Sequence, residues 1–215
     1  MRPLRLSVVS AGLSDPSSTR LLADRLTEAT RQELAGSGYA VEVSVVEVRE
    51  LAAEIARNLT LGSPGPELEA ALDAVTRADG VIAVTPVFSA SYSGLFKSFF
   101  DLLDPTALTG TPVLIAATGG TARHSLVLEH ALRPLFTYLH ALTVPTGVFA
   151  ATEDWGTAGD AHTADLPARI GRAAHELARL VPSRAADEPG GREVPGQAPE
   201  IVPFAEQLAA LGHAP

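Results

Sequence analysis

The sequence from Gly80 to Lys97 reads GVIAVTPVFSASYSGLFK and joins an apolar run to a loop and then to an apolar helix. The run Gly80–Thr85 has the composition of a strand that is buried on both faces of a parallel sheet. Pro86 is expected to end this strand, because proline cannot donate a hydrogen bond to a neighbouring strand. A helix is predicted over Gly94–Leu103. A buried strand that leads through a loop into a helix is the repeating unit of α/β folds.

The same unit is repeated on both sides of this stretch. Further strands are predicted at Leu4–Ser10, Ala40–Val48, Pro112–Thr118 and Thr143–Ala150. Helices are predicted over Ser17–Ala35, from Pro66 onward, over Ser125–Leu139 and through Leu166 to Leu180, with a short helix and a Pro/Gly loop within Arg49–Gly65. Five strands separated by helices predict an α/β fold, a doubly wound parallel sheet with helices on both faces.

Length and composition suit one main domain. The chain has 215 residues, of which 46% are hydrophobic, and the domain is predicted over residues 1–181. Residues 182–215 start with a segment rich in Pro, Gly and charge, and we predict a flexible C-terminal extension with a short terminal helix.

Charge limits the possible partners. A net charge of −9 disfavours binding to nucleic acid or to an anionic membrane surface. No run approaches the roughly 20 apolar residues that a membrane span requires. The chain contains no cysteine, which is compatible with a reducing compartment, and we expect a cytoplasmic protein.

Two predicted helices are more apolar than surface helices should be. Their apolar residues are Leu95, Phe96, Phe99, Phe100, Leu102 and Leu103 in one, and Leu126, Leu128, Ala131, Leu132, Leu135, Phe136 and Leu139 in the other. One face of each helix can pack on the sheet, and the rest needs a second cover. We therefore predict a subunit interface, and hence a homo-oligomer, with an unusually buried core helix as the alternative.

The loop after the first strand has the features of a phosphate site. In an open parallel sheet, ligands bind at the carboxyl ends of the strands. The loop Ser10–Arg20 carries the hydroxyl groups of Ser17, Ser18 and Thr19 where the chain enters a helix. Amides at a helix N-terminus, together with hydroxyl donors, suit a phosphate monoester. The alternative is an ordinary Ser/Thr helix cap, and neither GxxxxGK(S/T) nor GxGxxG is present.

The loops after the third and fourth strands complete the predicted site. In the first of them, Phe88 and Tyr92 can lie against a flat ring, or they can simply cover the end of the sheet. In the second, Gly119 and Gly120 allow a ligand to approach the backbone closely, because no Cβ stands in the way, or they serve a tight turn. Three loops at one edge of the sheet are stronger evidence of a ligand site than any one of them.

The combined motifs resemble those of the NADPH-dependent FMN reductases. The similar runs are Thr85–Lys97, Ala117–Thr121 and Ala131–Pro134. The similarity covers about Leu4 to Leu180 and is strongest to the branch that serves luciferase-like and alkanesulfonate-type flavin monooxygenases. It implies a flavodoxin-like fold with strand order 2-1-3-4-5, and dimers or tetramers. His130 lies where some relatives carry Tyr.

The resemblance also implies roles for individual residues. The flavin phosphate would be held by Ser10, Ser17, Ser18 and Thr19. The isoalloxazine ring and the ribityl chain would be bordered by Pro86, Val87, Phe88 and Ser89. The pyrimidine side would meet backbone amides of Thr118, Gly119, Gly120 and Thr121. No catalytic side chain and no metal site is predicted, because hydride transfer between stacked cofactors needs neither.

The activity implied by this resemblance is that of an NAD(P)H-dependent FMN reductase. Its cofactors are FMN and NADPH or NADH, and it supplies reduced flavin to a separate, two-component flavin monooxygenase. The alternatives are an FMN-containing NAD(P)H quinone or azo reductase and a flavodoxin-like electron carrier. A non-catalytic interaction module has only the Pro-rich extension in its favour. The sequence leaves the choice between NADPH and NADH open, because no second phosphate-binding loop is visible.

Overall fold

The computed structural model describes residues 2–155 and 165–186. Its strands are Leu4–Ser10 (β1), Val41–Glu47 (β2), Gly80–Phe88 (β3), Ser91–Tyr92 (β4), Pro112–Gly119 (β5), Leu142–Thr143 (β6) and Val148–Ala151 (β7). Its α-helices are Ser18–Gly36 (α1), Ala52–Leu61 (α2), Pro66–Thr76 (α3), Gly94–Phe100 (α4), Arg133–Tyr138 (α5) and Asp165–Ala186 (α6). A π-helix, Leu128–Leu132, runs directly into α5, and short 3₁₀ turns lie at Ala122–His124 and Thr152–Trp155.

The sheet confirms the predicted α/β class. Its strand order is β2-β1-β3-β5, all parallel, and β6 and β7 each extend it as parallel partners of β5. The short strand β4 pairs with β3 in the antiparallel direction. The order corresponds to the predicted 2-1-3-4-5, but the count of five strands is wrong, because the described residues form seven.

The predicted fifth strand is interrupted. Thr143 is the last residue of β6 that lies opposite β5, the Val144 amide still donates to the Val113 carbonyl at 2.9 Å, and the pairing resumes only at Val148 in β7. The Thr146 amide donates to Glu176 Oε2 at 2.7 Å, and the Thr146 hydroxyl donates to Glu176 Oε1 at 2.8 Å. Pro145 has no amide hydrogen to offer to the sheet. The backbone at this point is therefore satisfied by a side chain of α6 instead of by a neighbouring strand.

Pro86 does not end the third strand, contrary to the prediction. It lies opposite Thr118 in the parallel register, and β3 continues to Phe88. The chain then reverses through Ser89 and Ala90, whose φ angles are 48° and 66°. Val87 pairs with Tyr92 across the resulting hairpin. A proline fits within a strand where its missing N–H faces no acceptor.

Each face of the sheet has its own core. Helices α1 and α6 cover one face through residues such as Leu22, Leu26 and Leu177. The other face is covered by α2, α3, α4 and α5, and Phe100 of this core contacts the rings of Phe96, Phe99 and Phe136. The Phe100 ring lies 5.0 Å from that of Phe136 in an edge-to-face arrangement, which is favourable for aromatic pairs.

The core accounts for much of the apolar character of α4 and α5. Phe96, Phe99, Phe100 and Phe136 are buried within the chain itself. These side chains are therefore covered without a partner subunit. This agrees with the alternative prediction, an unusually buried core helix. Tyr138, near the end of α5, is exposed. Homo-oligomerisation stays a prediction.

Helix α6 extends past the predicted domain boundary. It continues through Pro182 and ends at Ala186, so residues 182–186 are helical. The rest of the predicted extension, with its short terminal helix, lies outside the described residues. Among the helices that the structure describes, none combines the length and the apolar composition that a bilayer crossing requires.

Candidate functional site

The three predicted loops leave the same edge of the sheet. Ser10, at the end of β1, lies opposite Val84 of β3, and Pro86 lies opposite Thr118 of β5. The Ala11 amide donates to the Val84 carbonyl at 3.0 Å, which fixes the start of the first loop against β3. The register of three parallel strands therefore brings together segments that are far apart in sequence.

The first loop turns tightly into α1. Ser17 is the N-cap residue, and its Oγ accepts a hydrogen bond from the Arg20 amide at 3.2 Å. A Cβ on Gly12 would lie 2.0 Å from this Oγ, so a side chain at this position would displace the capping hydroxyl. The Ser17 side chain therefore acts as the helix cap that was considered as the alternative. Its hydroxyl hydrogen and the free amides of the first helical turn remain available to an anion.

Three buried hydroxyl groups, those of Ser10, Thr19 and Thr118, lie at this edge of the sheet. Ser10 is fully buried, and its Oγ has no hydrogen-bond partner among the described residues. Thr19 Oγ1 and Thr118 Oγ1 lie 2.8 Å apart and share one hydrogen bond. The Thr19 hydroxyl thus joins the first loop to the third, and the Ser18 side chain is exposed at the helix N-terminus.

The side chain of Arg20 lies at the edge of the first loop. Arg20 Nε lies 2.7 Å from Asp24 Oδ1, and the Arg20 guanidinium also forms an ion pair with Glu47. Hydrogen bonds to Asp24, and then to Glu47, raise the pKa of Arg20 above its ordinary value. Glu47 lies opposite Ser10 across β1 and β2. The charge of Arg20 is therefore matched by protein carboxylates at the edge of the loop.

The second loop is a β-hairpin with a fixed return. The Thr85 hydroxyl accepts a hydrogen bond from the Ser93 amide at 3.0 Å and donates to the Pro86 carbonyl at 3.0 Å. Phe88 is 47% exposed at the rim of the site, and Ser89 at the tip is exposed. The Tyr92 ring centroid lies 6.0 Å from that of Phe96, so Tyr92 packs on α4.

The third loop presents backbone with little side chain over it. A Cβ on Gly119 would lie 2.8 Å from Phe149 Cζ, so this glycine allows β7 to pack closely. A Cβ on Gly120 would meet nothing within 4 Å, so the backbone there faces open space. Thr121 is exposed beside it. Close approach to a ligand is thus possible at Gly120, whereas Gly119 is required by packing.

A groove of about 620 Å³ lies beside the hairpin, between α4, the π-helix and α5. Its lining includes Tyr92, Lys97, Phe100, His130 and Tyr138, and none of the twelve predicted site residues. The groove is therefore separate from the meeting point of the three loops.

Comparison with known proteins identifies the family of the chain. The model of a family described as NADPH-dependent FMN reductase matches residues 4–156. The chain belongs to this family. An "FMN reductase (NADPH)" of Pseudomonas aeruginosa is 41% identical over 190 residues, which are 88% of this chain and 95% of that protein. An "NADH-dependent FMN reductase SfnF" of Pseudomonas fluorescens is 41% identical over 179 residues, 83% of this chain and 92% of that protein.

Solved structures agree with this assignment. An oxidoreductase from Corynebacterium diphtheriae matches with a TM-score of 0.81 and 50% identity, over 85% of this chain and 99% of that one. An archaeal flavodoxin at 13% identity and a TM-score of 0.53 shows the flavodoxin-like fold. The predictions of an FMN reductase, of this fold and of FMN with NAD(P)H as cofactors are confirmed.

Two arginines that the sequence analysis missed brace the loops of this FMN reductase. Arg49, after β2, donates from a terminal nitrogen to the Ser14 carbonyl at 3.2 Å. Arg169 of α6 donates to the Phe149 carbonyl and lies 3.0 Å from Asp154 Oδ1, while Asp154 Oδ2 accepts from the Ala151 amide at 2.7 Å. Neither contact is local in sequence, so no motif could have signalled it.

Proposed function

We propose that this FMN reductase binds FMN where its three loops meet and passes reduced FMN to a separate flavin-dependent monooxygenase. One observation carries the placement of the flavin. The Ser10 hydroxyl is fully buried beside the N-terminus of α1 and has no hydrogen-bond partner among the described residues. An unpaired buried hydroxyl costs free energy, and a phosphate oxygen is the kind of acceptor that would satisfy it.

The first loop suits the phosphate of FMN. Ser10 and Ser17 each have a hydroxyl hydrogen to donate, and the amides of Ser18 and Thr19 have no partner inside the helix. The positive end of the helix dipole favours an anion at this position. In this proposal the Thr19 side chain contributes indirectly, by tying the loop to Thr118.

The second and third loops suit the flat ring. Pro86, Val87, Phe88 and Ser89 form the outgoing arm and tip of the hairpin, and they would border the ring and the ribityl chain. The open backbone at Gly120 and Thr121 would supply amide donors to the pyrimidine side. Gly119 and Thr118 would hold that backbone in place, because they are fixed by Phe149 and by Thr19.

The chain's contribution to the reaction is to bind and orient the two cofactors. When both are bound, NAD(P)H would supply the hydride and FMN would accept it. Backbone amides near Gly120 would stabilise negative charge that grows on the pyrimidine side during reduction. Phe88, at the rim of the site, would lie against the flat ring. Stacking the nicotinamide at contact distance makes the transfer effectively unimolecular.

The exposure of the rim supports the supply of flavin to another enzyme. Phe88, Ser89, Gly120 and Thr121 are all exposed, so much of the ring would stay accessible and FMN could leave readily. We also propose a homodimer or tetramer. A cytoplasmic location is part of the proposal, because NAD(P)H is available there.

A steady-state assay after desalting tests the proposal. We expect purified protein to lose FMN on gel filtration and to oxidise NADPH or NADH only when FMN is added back. FAD, riboflavin and a quinone serve as alternative acceptors. Retention of FMN through the column, combined with rapid quinone reduction, would favour a quinone or azo reductase. Retained FMN without NAD(P)H oxidation would favour an electron carrier.

A further inference from the structure

We infer that Arg49 recognises a phosphate monoester beside the first loop and sets the preference for a phosphorylated nucleotide. The inference rests on the proposed placement of FMN and assigns this site a residue that the motifs do not contain. The chemistry is that of a phosphate dianion facing a guanidinium group, which offers several N–H donors in a planar fork.

The backbone holds Arg49 close to the loop. The Val48 amide donates to the Ser10 carbonyl at 2.9 Å, so the segment after β2 is fixed to the end of β1. One terminal nitrogen of Arg49 then donates to the Ser14 carbonyl at 3.2 Å. Ser14 lies within the loop that joins Ser10 to the helix cap at Ser17. The guanidinium is therefore anchored on the same loop that would enclose the phosphate.

Among the residues that the structure describes, no carboxylate pairs with the charge of Arg49. Arg20, the other arginine at this loop, is paired with Asp24 and Glu47. Arg49 has its hydrogen bond to a neutral carbonyl, and it forms no ion pair with any residue in 2–155 or 165–186. A guanidinium has five N–H donors, so most of those on Arg49 remain available to a ligand. Of the two arginines at this loop, Arg20 is therefore paired with carboxylates, and Arg49 has no ion-pair partner among the described residues.

Two phosphate monoesters can reach a flavin site of this kind. They are the 5′-phosphate of FMN and the 2′-phosphate of NADPH. Riboflavin and NADH are the matching molecules without these groups, so each pair isolates the phosphate. The unpaired Ser10 hydroxyl at the same loop favours the flavin phosphate as the source.

The experiment compares the purified full chain with Arg49→Gln, Arg49→Lys and Arg77→Gln. Glutamine removes the charge but keeps an N–H donor for the Ser14 carbonyl. Lysine keeps the charge. Arg77 lies just after α3, and Ala78 and Asp79 separate it from the start of β3, so Arg77→Gln removes an equal charge at the opposite edge of the sheet. Flavin fluorescence is titrated with FMN and riboflavin at low and high salt, and KM is measured for NADPH and NADH.

We expect Arg49→Gln to raise the FMN dissociation constant by about tenfold, the loss typical of one charge-assisted hydrogen bond. Riboflavin affinity should change by less than about twofold. The loss of FMN affinity in Arg49→Gln should become smaller at high salt, because ions screen the charge of Arg49 in the unsubstituted protein. Arg49→Lys should retain most of the preference, and Arg77→Gln should resemble the unsubstituted protein. A selective rise in KM for NADPH over NADH would also support the inference, with the 2′-phosphate of NADPH as the source.

Three results would overturn it. They are equal losses of FMN and riboflavin affinity, a deficit that does not depend on salt, and no change in any of the four ligands. Melting curves of the variants without ligand exclude a loss of folding as the cause. If the unsubstituted chain bound no FMN, the placement of FMN itself would fail, so the two failures are distinguishable.

Discussion

Ser10 is a buried serine whose hydroxyl group has no partner among the described residues. The middle of β1 contains a second buried serine, Ser7, whose Oγ also lacks a partner among the described residues. The two differ in position, because Ser7 lies within the sheet whereas Ser10 is the last residue of β1, at the start of the first loop. If the Ser10 hydroxyl binds the FMN phosphate, removing this hydroxyl should weaken FMN binding, whereas removing the Ser7 hydroxyl should not.

The predicted effects of Ser10→Ala and Ser7→Ala on stability are similar. Each substitution removes an unsatisfied buried hydroxyl, so unfolding in urea without ligand should give an equal or higher free energy, by up to about 1–3 kcal/mol. Only Ser10→Ala should weaken FMN binding, because it loses a hydrogen-bond donor to the phosphate. The FMN dissociation constant from a fluorescence titration should rise by about tenfold. Equal FMN affinity for both variants would contradict the placement of the phosphate.

The Thr19–Thr118 hydrogen bond predicts a coupling that a double-mutant cycle can measure. Thr19→Val or Thr118→Val alone leaves the other buried hydroxyl unpaired and should lower the free energy of unfolding by about 1–3 kcal/mol. The double variant removes both hydroxyls and should recover much of this loss. Strictly additive losses in urea denaturation would show that the two threonines do not depend on each other.

At the scale of elements, the sequence predicts what has a periodic pattern. The bounds of β1 were predicted to the residue, and α1 begins one residue after the predicted position. The hairpin strand Ser91–Tyr92 is too short for any periodicity, and the π-helix Leu128–Leu132 has the same apolar positions as an ordinary helix. Arg49 and Arg169 act through tertiary contacts, so their roles appear only when the strands are placed side by side.

The start of β3 depends on a buried carboxylate at the edge of the sheet away from the site. Asp79 Oδ2 accepts hydrogen bonds from Arg2 and from the Arg5 amide, both at 2.7 Å. Burial of this carboxylate raises its pKa. The hydrogen bonds from Arg2 and from the Arg5 amide lower the pKa by a larger amount, so the net pKa lies below its ordinary value. Asp79 thus favours folding while it is ionised, and this contribution is lost as the pH falls through its folded pKa.

Asp79→Asn should therefore destabilise the protein at neutral pH and matter less in acid. The expected loss in the free energy of unfolding at pH 7 is about 1–3 kcal/mol. It should shrink below about pH 4, where Asp79 first becomes protonated in the unfolded chain, and it should disappear once the pH falls below the folded pKa. Urea denaturation of both proteins across this pH range measures the difference. A constant difference at all pH values would show that the charge of Asp79 contributes nothing.

For the whole molecule, the site and the fold depend on each other. Ser10, Pro86 and Thr118 come from three separate strands, and they lie at the same edge of the sheet only when β1, β3 and β5 are in register. FMN should then bind the folded chain and not the unfolded one, and it should stabilise the fold by about 2.7 kcal/mol at a hundredfold excess over its dissociation constant. For a domain of this size the melting temperature should rise by about 5–10 °C. Thermal melts with FMN, with riboflavin and with Ser10→Ala measure this linkage. Riboflavin with the unsubstituted chain, and FMN with Ser10→Ala, should each raise the melting temperature less, because each pair lacks either the phosphate or the Ser10 hydroxyl. Equal increases in all three experiments would mean that the flavin ring alone accounts for the binding.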